Sequence, residues 1–256
     1  MEAAATLQQS MQNPAVHLDL ARLATARIFF GHQSVGMDLL EAITWLCASQ
    51  VGPSPRIEAT TGEVAAGTLA HAFMALNGSP DAKLASFERA LSEGVARSLD
   101  VALLKFCYAD LTVDTDPAPL FARYRAVLNG LRRKHEEVVF AHVTVPLTTA
   151  RDRDSARGAV QAFFGRIPQA VVANARREHF NDLLRRTYGD SGLVFDLARL
   201  ESTTPDGSRE LHRGEGGRLV PALCLEYTDD GGHLNRKAAS RIGRALIEFL
   251  SGAVRR

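Results

Sequence analysis

The chain lacks any appreciable net charge. Lys and Arg number 30 against 29 Asp and Glu, a net +1 over 256 residues. Neither the basic face of a dedicated nucleic-acid binder nor a polybasic membrane anchor is present. Cysteine is scarce: Cys47, Cys107 and Cys224 are widely scattered, with no C-x-x-C and no even-numbered set. They read as reduced thiols packed like small hydrophobes. No apolar run is long enough to span a bilayer, and Met1 to Asn13 is Ala/Gln-rich without the apolar core of a signal peptide. The expectation is a cytoplasmic protein that engages neither membrane nor nucleic acid. No H-x-x-x-H or H-E-x-x-H pair is found, and the Asn77-Gly78-Ser79-Pro80 turn lacks the Gly-Lys-Ser/Thr ending of a phosphate loop. No metal and no cofactor are expected.

What is present is ordinary in bulk, with 46% hydrophobic and 23% charged residues, and informative in pattern. Arg27–Phe30, Val101–Phe106, Val138–Val145 and Leu193–Leu197 are continuous apolar runs, with a weaker fifth at Arg56–Thr60. Continuous runs suggest strands buried on both faces, as in a parallel sheet. Between them lie helical stripes: Met37, Leu40, Ile43 and Leu46; Leu120, Tyr124, Val127, Leu128 and Leu131; an arginine-rich segment from Ala170 to Tyr188; and Ile242, Leu246, Phe249 and Leu250. This alternation predicts a three-layer α/β/α sandwich with a mainly parallel five-stranded sheet. Without repeats or linkers, the reading is an N-terminal extension over 1–26 and a single domain over 27–256. Thr61 to Asp81 and Ser202 to Glu226 are rich in Gly, Pro and Asn and read as irregular loops.

Two distant segments carry chemistry. Asp230-Gly231-Gly232-His233 places an acid three residues before a histidine, ahead of the last helical stripe. Such an acid can orient and polarise the imidazole, and together they can activate a nucleophile. Ser34, in Gly31-His32-Gln33-Ser34-Val35-Gly36, follows the first strand and opens the first helix. It therefore belongs at the carboxyl edge of the sheet, where ligands bind in open α/β folds, although serine is also a common helix N-cap. His32 and Asp38 are polar neighbours that fit a supporting role. Lys105 interrupts an apolar strand, where a charge is costly unless it is paired, with Asp110 or Asp230, or used. His142 reads as a core histidine.

A serine after the first strand and Asp-x-x-His before the last helix, on an α/β/α chain of this length, resembles the SGNH/GDSL hydrolase superfamily. The Asp230–Asn235 segment matches that superfamily's last block. Asn174, Arg176, Arg177, Asn181, Leu183, Leu184 and Tyr188, followed by Phe195-Asp196-Leu197, resemble the helix and strand that lead into it. The resemblance implies a flavodoxin-like fold and a serine esterase with Ser34, His233 and Asp230 as its triad. It implies a small acyl ester as substrate, of which a carbohydrate O-acetyl group is one kind, with acyl transfer as a related outcome. Two blocks depart from the pattern. The first reads Gly31-His32-Gln33-Ser34 instead of Gly-Asp-Ser, and Lys105–Asp110 lacks the usual oxyanion-binding asparagine. Asn77, Gly78, Lys105 and Tyr108 are the residues available for that role. These departures keep open a non-catalytic binding protein on the same scaffold. A metal-assisted phosphoesterase built on Asp229, Asp230 and His233 is a further alternative.

Overall fold

Arg27–His32 forms β1, and its side chains alternate between two buried faces: Ile28 and Phe30 on one, Phe29 on the other. That alternation makes β1 a central strand. In the computed structural model, which describes residues 14–60, 62–150 and 167–255, β1 lies between two parallel neighbours, β3 (Thr68–Phe73) and β4 (Val101–Leu104). The sheet continues through β2 (Arg56–Ala59) beyond β3, and through β5 (Val139–Val143) and β6 (Val194–Phe195) beyond β4. All of these pairings are parallel and the strand order is β2-β3-β1-β4-β5-β6.

The sheet has six strands where the sequence suggests five. The additional strand is β3, Thr-Leu-Ala-His-Ala-Phe, in the segment expected to be irregular. Two alanines and a histidine dilute its apolar signal, and the surrounding glycines suggest a loop. Tertiary pairing with β1 overrides that local composition.

One face of the sheet carries α1 (Pro14–Leu23), α2 (Val35–Ala48), the short α6 (Leu197–Glu201) and α7 (Arg236–Ala253), whose buried Leu39, Ile43, Ile242 and Leu246 share a core with Ile28 and Leu103. The other carries α3 (Pro80–Ser92), α4 (Pro117–Lys134) and α5 (Gln169–Tyr188), whose Phe87, Tyr124, Leu128 and Phe180 pack against Phe29 and Phe140. The three-layer α/β/α architecture therefore follows the sequence pattern. The stretch before Arg27 is not wholly peripheral: Leu20 and Leu23 of α1 are buried in the first core. Residues 1–13 of the expected extension lie outside the described residues. Within the second expected loop, Leu211–Arg213 (β7) and Leu219–Pro221 (β8) form an antiparallel hairpin. Among the described residues no helix is long and apolar enough to cross a membrane.

Candidate active site

The chain leaves β1, builds β2 and β3 on one side, then returns to build β4, β5 and β6 on the other. The carboxyl end of β1 is thus the switch point of the topology, where the connections diverge and leave a crevice. Ser34 stands there, at the N-terminus of α2. It occupies the N-cap position, yet its hydroxyl makes no capping hydrogen bond. Its backbone has φ 52° and ψ −117°, and it is the only non-glycine residue with positive φ among the described residues. Left-handed backbone at a residue with a Cβ is strained and persists only where the surroundings enforce it. Gln33 helps to do so, donating from Nε2 to the Met74 carbonyl at 2.5 Å.

The hydroxyl turns instead to the other end of the chain. Ser34 Oγ lies 2.6 Å from His233 Nε2, and His233 Nδ1 lies 2.7 Å from Asp230 Oδ2. A carboxylate only accepts, so Nδ1 carries the proton and Nε2 is left to accept from the serine. Partial burial pushes the Asp230 pKa up. Hydrogen bonds from the His233 ring and from the His233 and Gly232 N–H groups outweigh it and hold the carboxyl below the usual range. Asp230 is therefore ionised at neutral pH. The two glycines between acid and base serve separate ends. Gly231 has φ 87°, and a Cβ at Gly232 would come 2.9 Å from the Tyr108 ring.

Several side chains fasten this loop. Asp38, in the first turn of α2, accepts the Leu234 N–H at 2.9 Å and so ties the serine's helix to the histidine's loop. Thr149 donates its N–H to the Gly231 carbonyl at 3.0 Å. The segment bearing Thr149 is itself held by α5: Asn174 exchanges hydrogen bonds with the Thr148 backbone, and Asn181 with the Val145 backbone. Arg177 reaches across to donate to the Tyr108 carbonyl at 2.9 Å. The polar residues of the arginine-rich helix thus support the site from behind.

The other expected site residues are sorted by the structure. Tyr108 is brought beside the histidine, ring centroids 6.0 Å apart. Lys105 is not: it is fully buried, and its ammonium donates to the Phe106 carbonyl at 3.0 Å. Burial pushes its pKa down to about 8. A side chain closed off in this way does not face a substrate, and the role considered for it is withdrawn. The anticipated pairing of Lys105 with Asp110 or Asp230 is also replaced, because those carboxylates bind Lys83 and His233. The Gly78 N–H is already donated to Asp110 Oδ1 at 2.8 Å, which removes it as a free donor. Asn77 is exposed, and its Oδ1 accepts from Lys83 Nζ at 2.7 Å. Lys83 has no place in the sequence reading. Its signal was available, since it lies in the stripe of Leu84, Phe87 and Leu91 on α3, where a lysine needs a buried partner. His142 is a buried core residue, bonded to the Tyr124 hydroxyl and stacked on Tyr188. No group of three or more metal-ligating side chains occurs among the described residues.

No protein-family model matches the chain, and no curated protein sequence does. Solved structures do. A GDSL-like lipase from Bacteroides thetaiotaomicron superposes with a TM-score of 0.53 at 11% identity, covering 98% of this chain and 96% of its own. The fold is that of the GDSL hydrolases. A proposed acylhydrolase from Bacteroides fragilis agrees, with a TM-score of 0.51 at 11% identity over 96% of this chain and 100% of its own. In this GDSL fold the serine and the Asp-x-x-His loop meet at one sheet edge although 199 positions separate Ser34 from His233.

Proposed function

We propose that the protein is a serine esterase acting on a small acyl ester, with a carbohydrate O-acetyl group as one candidate substrate. The observation that carries this reading is the continuous chain from Ser34 Oγ through His233 to Asp230, at 2.6 and 2.7 Å. In the first half-reaction, His233 Nε2 takes the Ser34 proton as Oγ attacks the acyl carbon. The tetrahedral intermediate collapses, the C–O bond to the alcohol breaks, and His233 returns the proton to the leaving oxygen. Water then attacks the acyl-enzyme, gives its proton to His233, and the second collapse frees the acid and restores Ser34. Asp230 stays ionised throughout and steadies the imidazolium. The Ser34 N–H, at the N-terminus of α2, is the backbone donor assigned to the oxyanion in this reading.

Hydrolysis of p-nitrophenyl acetate tests the proposal. Ser34→Ala and His233→Ala are expected to lower kcat by at least about 10³-fold, and Asp230→Asn by a comparable factor, because the amide cannot hold the same tautomer of the histidine. A chelator is expected to leave turnover intact. Turnover unchanged in Ser34→Ala contradicts the proposal. Loss of activity on chelation points instead to a metal-assisted phosphoesterase, and absence of turnover in every variant and the parent points to a binding protein.

A further inference from the structure

Asp110 forms a buried hub beside the site. It is 3% exposed and accepts from the Lys83 ammonium at 2.6 Å, the Cys107 N–H at 2.6 Å and the Gly78 N–H at 2.8 Å. Lys83, fully buried, also donates to Asn77 Oδ1 at 2.7 Å. The hub joins three places: the loop after β3, the first turn of α3 and the turn after β4. Because β1 lies between β3 and β4, the chain from Met74 to Gly78 crosses the carboxyl end of β1, where Ser34 begins. The Met74 end of that crossing is pinned by its N–H to the His32 carbonyl at 3.0 Å and by Gln33. The Gly78 end is pinned by Asp110.

An ammonium has donors only, so it fixes which way the Asn77 carboxamide points: oxygen inward to Lys83, amino group outward. Asn77 itself is exposed, so that outward group lies on the open side of the crossing loop. We propose that the Asn77 Nδ2–H₂ is the second donor to the oxyanion, and that Lys83, locked by Asp110, is the residue that positions it. This rests on the esterase reading and adds to it. The hub compensates for the absence of an asparagine after β4 by taking one from the loop after β3, and it explains a buried lysine–carboxylate pair at the Gly78 end of the segment that crosses β1. A buried pair contributes little net stability over an apolar core of the same shape, so geometric specificity is the better account of it here.

The discriminating variant is Asn77→Asp. A carboxylate still pairs with Lys83, so a purely structural role is satisfied, but it has no N–H to give and repels an oxyanion. On p-nitrophenyl acetate, Asn77→Asp and Asn77→Ala are expected to lower kcat about 10²-fold or more with KM within about twofold, while the Tm of Asn77→Asp stays at the parent value or above. Lys83→Met is expected to lower kcat by a similar factor, and adding Asn77→Ala to it to cost nothing further. Parent-level kcat in Asn77→Asp overturns the proposal, as does a strictly additive double variant. If the parent itself turns over no ester and Ser34 takes up no acylating probe, the esterase reading falls. If the parent is active and Asn77→Asp equals it, the esterase reading stands and Asn77 falls as the donor.

Discussion

Ser34 illustrates how a single residue can be held against its own preference. Its φ of 52° would suit glycine, yet the position carries a hydroxyl bonded to His233. Backbone strain of this kind costs about 1–3 kcal/mol and persists where the fold over-determines it. Ser34→Gly removes the strain and the hydroxyl together. After allowing for the greater freedom of glycine in the unfolded chain, the variant should be more stable than the parent by about 1 kcal/mol while losing turnover. Denaturant titration of the two proteins checks this, and a loss of stability in Ser34→Gly would mean that the hydroxyl, not the backbone, governs the energetics of the turn. The serine, the histidine and the aspartate were legible in the sequence because their types and spacing are chemically specific. The burial of Lys83 was legible in its stripe, but its partners were not, because Asp110 and Asn77 meet it from separate segments.

Among the elements, α5 does more than cover the sheet. Its Asn174, Arg177 and Asn181 hold the segments after β4 and β5 that in turn hold the Asp-x-x-His loop. Asn181 is fully buried and both accepts from and donates to the Val145 backbone, at 2.7 and 3.0 Å. Asn181→Leu strands a buried N–H and a buried carbonyl, each worth about 1–3 kcal/mol when unsatisfied. The expected fall in stability is about 2–4 kcal/mol, read as a lower Tm by calorimetry, and a loss under 0.5 kcal/mol would show that water replaces the amide. The strands β1, β4 and β5 were legible as continuous apolar runs, since burial on both faces leaves no alternation to miss. The strand β3 was not, because Ala70 and Ala72 lie in the sheet by pairing with β1 and not by their own preference. The amphipathic stripes of α4 and α7 hold in their main members, with Tyr124, Leu128, Ile242 and Leu246 buried and Val127 and Phe249 half-buried.

At the scale of the molecule, several ionisable groups are enclosed, and they oppose each other in pH. Burial lowers the pKa values of His32 and His142 to about 3, so both are neutral in the fold. The unfolded chain binds protons that the folded one does not, and stability rises with pH from about 3 to the ordinary histidine range. Burial raises Glu201 from 4.5 to about 8, so between those values the folded state holds a proton that the unfolded chain has released, and stability falls as pH rises through that window. Glu201→Gln keeps an acceptor for the Leu147 N–H, found at 2.8 Å, and removes the titration. Its Tm profile should therefore converge with the parent's on the acid side and lie above it by pH 8, while parallel profiles would show that Glu201 is already ionised in the fold.

All of this leads to one serine. Mass mapping after treatment with a fluorophosphonate probe reads whether Ser34 is an activated nucleophile, independently of the choice of ester. The expected result is a single adduct on the peptide bearing Ser34, absent from Ser34→Ala and greatly slowed in His233→Ala. An unlabelled parent, or an adduct that persists in Ser34→Ala, would contradict it.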